Sequence, residues 1–396
     1  MGNLDNVVKL RPAALGHHSR RLIAARLIEG RLVNGLNQSE LATIVGVSRQ
    51  AISSYEQGDK SPDPQTMIEI AKALKQPLGF FVTETPRNFG PLSVNFFRKT
   101  GADTKRRNMA CEVYARWFSQ AAFAFEAVAN FPAVGLPSFE PNSRSNNKYE
   151  DEEIEDIAER VREHFGLGLG PISNIVRLME SVGILVCRIE MDGEKIEAFS
   201  FWSGSRPFVF LASDKESGAR ARYDAAHELG HLVLHQWVGA DEIENKVRLK
   251  EIEREADRFA GAFLLPRKSF PNEVYSPRLG AFVELKKRWK VSIQAMIYRC
   301  KNLGIFDEQQ TINLYKQISL KKWRTNEPLD GAEGIPLEKP ILLGKIAKLV
   351  LESGRMHVDE IKVTLGFSSF VMEKFFGLSA GTLIESVDAE VKPTLK

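Results

Sequence analysis

The chain has 396 residues, of which 43% are hydrophobic and 27% are charged, and its formal net charge is +3. This length predicts roughly two or three domains, and the composition is that of a soluble globular protein. Because the net charge is close to zero, it excludes a uniformly basic surface, and any basic surface must be local.

The cysteines and the hydropathy of the chain indicate its compartment. Cys111, Cys187 and Cys300 are far apart and odd in number. That pattern favours buried thiols in a reducing cytosol, and it excludes a disulfide framework or a cysteine zinc site. No apolar run approaches the length of a membrane span, and the first residues contain no secretory hydrophobic region. We therefore expect a cytoplasmic protein.

The first predicted elements are short helices. Residues 1 to 18 are polar and irregular, and a helix is predicted to begin soon after them. Asn37 and Glu40 form the pattern of a capping box at the start of the next helix. Helical spacing predicts that its buried stripe consists of Leu41, Ile44 and Val45.

Gly46 breaks this helix, and Ser48 is the predicted N-cap of a second one. Two short helices joined at a glycine, the second with an exposed polar face, form a helix-turn-helix. The second helix would lie in the major groove, where Gln50 can pair with adenine and Arg49 with guanine or phosphate. The alternative is a small helical bundle that binds only protein. The candidate DNA-binding residues are Gln38, Ser48, Arg49, Gln50, Ser53 and Ser54.

Residues 20 to 82 resemble the Cro/repressor-like (XRE) helix-turn-helix family. The resemblance is carried by Asn37-Gln38-Ser39-Glu40-Leu41-Ala42, Val47-Ser48, Ile52-Ser53-Ser54-Tyr55-Glu56-Gln57-Gly58 and Pro62. Domains of that family usually bind operator DNA as dimers. The resemblance therefore implies double-stranded operator DNA as a partner and a homodimer as the assembly.

The middle of the chain leads from this region to a few strands. Residues 83 to 110 are polar, and their basic patch (Arg98-Lys99 and Lys105-Arg106-Arg107) either touches DNA phosphate or is a solvated face. Helices are predicted over 110–130, 149–164 and 171–181, with a linker over 132–147. Strands are predicted over 183–189, 198–202 and 207–212. Residues 207–211 fit equally an edge strand that holds an extended substrate and an ordinary core strand.

The strongest chemical motif is His227-Glu228-Leu229-Gly230-His231 in a run with helical character. Positions i and i+4 of a helix lie on one face, so the two imidazoles can hold one zinc ion. Glu228 between them can act as the general base on water. A catalytic zinc site needs a third protein ligand and keeps the fourth position open.

The third ligand is predicted to lie on a later helix, Ile252 to Pro266. His235 continues the four-residue spacing, but it lies on the order of 12 Å from His227 along the helix axis and cannot share the ion. Glu253 lies on a helix face whose small residues allow close helix packing. Asp257 lies on the same face, where it can orient a ligand imidazole. Glu255 is the second choice.

Residues 205 to 306 resemble the ImmA/IrrE metallopeptidases. The resemblance rests on the histidine motif, on Glu253-Arg254-Glu255-Ala256-Asp257-Arg258-Phe259-Ala260 with Leu264-Leu265-Pro266, and on Trp289 to Met296. It implies zinc held by His227, His231 and Glu253, with Glu228 as the base. Asn is the commonest residue of the family at the position of Asp257. Family members often cut, or trigger loss of, a helix-turn-helix repressor, so the target is expected to be another repressor, a partner toxin or antitoxin, or the linker of this chain.

The last part of the chain is less informative. Residues 326 to 340 are rich in Pro and Gly and are predicted to be a second linker. The tail over 341–380 is predicted to form two or three short helices that either cap the peptidase domain or bind a partner.

Together these patterns predict an α+β, mostly helical fold. The predicted domains are 1–85, a helix-turn-helix; 86–147, a helical connector; 148–325, a metallopeptidase domain; and 326–396, a helical region. The predicted function is a DNA-binding transcriptional regulator with a zinc-dependent endopeptidase domain. The alternatives are a metal-binding regulator that does not cut and an antitoxin-like interaction protein. A His-His-Glu site also accepts other divalent ions such as manganese.

Overall fold

The computed structural model describes residues 21–93, 102–141, 148–189, 198–213, 217–331 and 333–383. Within these ranges the chain is mostly helical with one small sheet, which confirms the predicted α+β class. No helix in the described part of the chain is long and apolar enough to cross a membrane. Residues 1–18, 98–99 and 142–147, which figure in the sequence predictions, lie outside the described residues.

The described helices lie before and after one group of three strands, which stands between the helices Ile175–Ser181 and Gly218–Leu234 in the chain. The helices are α1 (Ala24–Val33), α2 (Gln38–Val45), α3 (Arg49–Gln57), α4 (Pro64–Ala73), α5 (Ala102–Glu126), α6 (Asp151–His164), α7 (Ile175–Ser181), α8 (Gly218–Leu234), α9 (Ala240–Glu244), α10 (Lys246–Leu264), α11 (Leu279–Trp289), α12 (Ile293–Asn302), α13 (Glu308–Leu320), α14 (Leu342–Glu352), α15 (Val358–Leu365) and α16 (Ser369–Phe376). The strands are β1 (Leu185–Ile189), β2 (Ala198–Ser203) and β3 (Arg206–Ala212).

The chain divides into two compact units that are not continuous in sequence. The terminal unit combines Met1–Phe89, Lys99–Asn130 and Leu343–Lys396, and the central unit combines Gly90–Arg98 with Phe131–Leu342. The terminal unit therefore contains the helix-turn-helix candidate, and the central unit contains the sheet and the histidine motif.

In the terminal unit, α2 begins with the predicted capping box. The Asn37 side chain accepts a hydrogen bond from the Glu40 amide, and the Glu40 side chain accepts one from the Asn37 amide. Gly46 ends the helix with φ of +80°, a conformation in which a Cβ would be strained. The turn into α3 is thus fixed by local interactions that the sequence itself specifies.

The predicted buried stripe of α2 was wrong at Ile44, and it holds only in part at Val45, which is half-buried. Leu41 is 0% exposed and Ala42 is buried, but Ile44 is 58% exposed. With 3.6 residues per turn, Ile44 lies roughly 100° around the helix from the centre of the face that Leu41, Ala42 and Val45 share. The core of this small bundle reaches α2 from one side only, so it leaves Ile44 outside.

The tail of the chain packs within the terminal unit. The buried Arg26 guanidinium of α1 donates to the carbonyl oxygens of Thr83 at 3.1 Å and Leu365 at 3.3 Å. The ring of Phe367 lies 5.1 Å from that of Trp117 and 6.2 Å from that of Phe80. Residues 343–383 are therefore part of the core that supports the helix-turn-helix helices.

In the central unit the three described strands have the order β1-β3-β2. β3 runs parallel to β1, with Phe208 opposite Leu185, and antiparallel to β2, with Leu211 opposite Ala198. Every residue of β3 is buried. The edge-strand interpretation of 207–211 was wrong, because β3 lies between β1 and β2 and pairs with a strand on each side.

Helix α8 packs on β2 and β3, and α10 packs against α8 and α6. The two helices approach closely at Gly230, where an added Cβ would lie 3.1 Å from Phe259 Cδ1 and 3.3 Å from the Ala256 carbonyl oxygen. The predicted role of small residues at this contact is thus confirmed. This close approach brings the middle of α10 beside the histidine motif.

The predicted second linker is held firmly along the central unit. The Glu338 carboxylate accepts hydrogen bonds from the amides of Ile175 and Val176 at the start of α7, and it pairs with Arg222 of α8. Asp330 accepts a hydrogen bond of 2.6 Å from Ser217, the N-cap of α8. This stretch therefore fastens the beginning of α8 to its surroundings.

Candidate metal centre

Helix α8 brings the two motif histidines together. The Nε2 atoms of His227 and His231 are 3.0 Å apart, and both residues are only 2% exposed. Burial and the neighbouring imidazoles lower the pKa of His231 to about 3, although Glu253 opposes this shift. Both rings lie in the part of α8 that approaches α10 closely, because Gly230 and Ala256 are small. The His231 imidazole is thus available as a neutral nitrogen ligand.

Glu253 of α10 completes a group of three donors. Its Oε2 lies 3.4 Å from His227 Nε2, and its Oε1 lies 3.5 Å from His231 Nε2. Glu253 is the acidic member of the donor group, and its carboxylate faces both imidazoles.

The spacing of these atoms fits a zinc ion. The three ligand atoms lie within 4.8 Å of one another. A tetrahedral zinc ion with bonds of about 2.0–2.1 Å holds neighbouring donors roughly 3.3 Å apart. Two imidazole nitrogens and a carboxylate at such distances concentrate lone pairs, which a cation would stabilise. The donor set and its geometry thus suit a divalent metal.

Asp257 contacts the outer nitrogen of His227, as predicted. Its Oδ1 lies 2.9 Å from His227 Nδ1. A carboxylate can only accept this hydrogen bond, so the proton is on Nδ1 and the Nε2 lone pair points toward Glu253. Tyr223 Oη donates to the Asp257 carbonyl oxygen at 2.9 Å and ties the two helices together at this level.

His235 and Glu255 form a second, buried layer that sequence reasoning missed. His235 Nδ1 is 3.0 Å from His231 Nδ1, and His235 Nε2 is 3.0 Å from Glu255 Oε2. Glu255, the second choice for the third ligand, therefore faces His235 and lies outside the three-donor group. Burial raises the pKa of Glu255, while Arg248 opposes that shift. The regular spacing of His227, His231 and His235 was the available signal.

Glu228 is held by a residue that the sequence did not single out. The Ser200 hydroxyl of β2 donates to Glu228 Oε2 at 2.7 Å, and Glu228 is 4% exposed. A hydrogen bond to the charged form stabilises the carboxylate of a candidate base. The available signal was a lone serine between phenylalanines in an apolar strand, Phe199-Ser200-Phe201.

The candidate DNA-binding residues lie on and beside α3. Ser48, Arg49 and Gln50 are exposed, whereas Ser53 and Ser54 are half-buried. Ser48 accepts a hydrogen bond of 3.1 Å from the Ala51 amide and is the N-cap, as predicted. The first turn of α3 thus presents Arg49 and Gln50 to solvent.

Gln38, the remaining candidate, takes part in an internal contact. Its Nε2 donates to Glu56 Oε2 at 2.8 Å, and Arg31 donates to both oxygens of the same carboxylate. This network links α1, α2 and α3, and sequence reasoning did not identify it.

Two segments of the chain match family models. Residues 179–301 match the family described as IrrE N-terminal-like domain, and residues 27–81 match the family described as helix-turn-helix. The chain carries a helix-turn-helix segment and an IrrE-like domain. The family resemblances inferred from the sequence are therefore confirmed.

Two proteins show partial similarity to the chain. An uncharacterized transcriptional regulator in the ATPase CF(0) region of Rhodospirillum rubrum is 34% identical over 71 residues, 18% of this chain and 66% of that protein. A solved Mycobacterium tuberculosis transcriptional regulator aligns with a TM-score of 0.29 and 18% identity, over 39% of this chain and 47% of that one. The chain thus spans less than two thirds of each.

Each candidate site lies within one of the two segments that match a family model. The donor group, its outer layer and Ser200 all lie within the IrrE-like domain, and residues 38–54 lie within the helix-turn-helix segment. The IrrE-like domain thus supplies a His-His-Glu group suited to a metal ion.

Proposed function

We propose that this protein is a DNA-binding transcriptional regulator whose IrrE-like domain is a zinc-dependent endopeptidase that cuts a repressor or another partner protein. The observation that supports the enzymatic part is that the ligand atoms of His227, His231 and Glu253 lie 3.0–3.5 Å apart. Glu228, which follows His227 in the sequence, is held by a hydrogen bond from Ser200. His227 and His231 supply neutral nitrogens, and Glu253 supplies a negative charge. Manganese or another divalent ion suits the same donors.

Glu228 carries the proton transfer in this proposal. A zinc ion in the donor group would supply Lewis-acid activation of water and of the peptide carbonyl. The Glu228 carboxylate accepts the proton of the attacking water and returns it to the leaving amine. Ser200 holds Oε2 in place, so the carboxylate does not have to be ordered at each turnover.

The helix-turn-helix segment is the DNA-binding part of the proposal. The exposed Arg49 and Gln50 side chains at the start of α3 suit guanine or phosphate and adenine in the major groove. We further propose that two copies of the chain bind a symmetric operator, because each recognition helix reads only a half-site.

The test compares cells that carry the intact protein with cells that carry Glu228→Gln. Proteomics should detect a partner protein that is shortened or lost only with the intact protein, and both purified forms should contain stoichiometric metal. Cleavage of the same partner by metal-loaded Glu228→Gln would refute the proposed mechanism. His227→Ala is the matched control, since it should lose both metal and cleavage.

One observation favours a second candidate, a regulator that binds metal without cutting. Exposures of 2% for His227 and His231 and of 4% for Glu228 leave little room for a peptide to approach. In that case Glu228→Gln would leave transcriptional regulation intact, whereas His227→Ala would abolish it. A reporter gene under the regulated promoter distinguishes the two candidates.

A further inference from the structure

His235 stands at the centre of a buried chain of hydrogen bonds that ends at the metal centre. It is the C-cap residue of α8, four residues beyond His231, and His235 and Glu255 are both almost fully buried. Distances of 3.0 Å join His231 Nδ1 to His235 Nδ1 and His235 Nε2 to Glu255 Oε2. Each of these two contacts is a hydrogen bond with one proton between its atoms, so its donor can be worked out from the partners at the far end of the chain.

The direction is set at the far end of the chain, by the partners of Glu255. Its Oε1 accepts a hydrogen bond of 3.1 Å from Arg248 Nη1 and one of 3.4 Å from the Tyr149 amide. Two donors, one of them a cation, stabilise the charged carboxylate. A carboxylate only accepts, so the proton between Glu255 and His235 belongs to His235 Nε2.

A neutral imidazole has a single N–H group. With its proton on Nε2, His235 can only accept at Nδ1. The proton between the two Nδ1 atoms therefore belongs to His231, whose Nε2 is left with a lone pair.

That lone pair faces His227 Nε2 and Glu253 Oε1, at 3.0 and 3.5 Å. Asp257 imposes the same tautomer on His227 from the other side. The two ligand imidazoles thus have different orienting groups: a half-exposed carboxylate for His227 and a buried histidine-glutamate pair for His231.

We propose that His235 is a positioning residue of the metal centre: together with Glu255 it fixes the proton of His231 on Nδ1 and so presents Nε2 to the ion. This inference rests on the metal site of the proposed function and is independent of peptide cleavage. It also assigns a role to the third histidine of the helix, which lies too far along α8 to bind the ion itself.

The experiment uses the full-length chain and two substitutions of one residue. His235→Leu removes the acceptor, whereas His235→Asn keeps an amide oxygen close to the position of Nδ1. Zinc affinity is measured by competition with a chromophoric chelator. Outer-shell substitutions typically weaken metal binding about 10- to 100-fold. We expect a loss of this size in His235→Leu and a clearly smaller loss in His235→Asn.

The second measurement is the tautomer of His231 in metal-free protein, read from the ¹⁵N shifts and proton couplings of its ring. The proton should be on Nδ1 in the intact protein and in His235→Asn, and it should move toward Nε2 in His235→Leu. His164→Leu, a histidine substitution elsewhere in the central unit, is the matched control, and circular dichroism verifies folding. The Glu255→Gln variant serves if His235→Leu does not fold, because its amide no longer enforces a proton on His235 Nε2.

The outcomes separate this inference from the proposed function. A proton on His231 Nε2 in the intact metal-free protein would mean that the hydrogen-bond chain runs in the opposite direction, and it would overturn the inference. So would equal zinc affinities of folded His235→Leu and the intact protein, or equal losses in the Leu and Asn variants. If the intact protein binds no divalent metal although His231 carries its proton on Nδ1, the proposed function fails and the tautomer assignment stands.

Discussion

The helix-turn-helix segment and the metal centre are built in opposite ways. At the start of α3, the candidate residues are neighbours in sequence, and Ser48, Arg49 and Gln50 are exposed. In the metal centre the important side chains come from β2, α8 and α10, and most are buried in one hydrogen-bonded group. We infer that substitutions at the first site act singly, whereas substitutions at the second affect several groups together.

The largest expected effect tests this independence. His227→Ala removes one of three donors and leaves Asp257 without its imidazole partner. Zinc sites contribute about 10 kcal/mol or more in total, so one of three ligands corresponds to roughly 3 kcal/mol, a loss of more than about 100-fold in affinity. We expect purified His227→Ala to lack metal by elemental analysis while its operator affinity is unchanged. A parallel loss of DNA binding would contradict the comparison.

The reciprocal change is Gln50→Ala in the helix-turn-helix segment. A bidentate contact to a base contributes about 1–3 kcal/mol of discrimination, so operator affinity should fall roughly 10- to 100-fold. Fluorescence anisotropy with the operator measures the loss, and metal content should stay at the level of the intact protein. Arg49→Ala should instead weaken binding to all sequences and reduce the salt dependence, if Arg49 contacts phosphate.

Ser200→Ala is a smaller change that sharpens the comparison. It removes the donor at 2.7 Å from Glu228 Oε2 and leaves a buried carboxylate with one partner fewer. We expect partner cleavage to fall about 10-fold, consistent with about 1–3 kcal/mol for a lost hydrogen bond to a buried group. Zinc affinity should change little, since Ser200 does not contact the donor group. A variant with full cleavage would show that Glu228 needs no support from β2.

The same contrast explains what the sequence could predict. Capping residues and periodicity are local, so they identified most helices and strands, the caps Asn37 and Ser48, and both families. The close packing of α10 on α8 also followed from the small residues near Glu253. Sheet order did not follow, because the position of β3 between β1 and β2 depends on pairing between distant segments.

Sequence reasoning about His235 shows a further limit. The distance argument excluded it as a ligand of the ion, and the structure places it outside the three-donor group. The hydrogen bond from His235 to Nδ1 of His231 was not predicted, because it depends on how α10 places Glu255 beside α8. Contacts of this kind come from tertiary packing, and no spacing rule along one helix predicts them.

The smallest expected effect is that of Ile44→Ala in α2. The predicted stripe of this helix contained one fully buried residue, Leu41, and one exposed residue, Ile44. Leu41→Ala empties a fully buried site and should cost about 2–5 kcal/mol of unfolding free energy. Ile44→Ala changes a side chain that is 58% exposed, and it should alter stability by less than about 0.5 kcal/mol. Alanine has a slightly higher helix propensity than isoleucine, so helix propensity decides whether Ile44→Ala raises or lowers the free energy of unfolding. Urea unfolding of both variants measures the difference, and a large cost at Ile44 would mean that another surface covers it in solution.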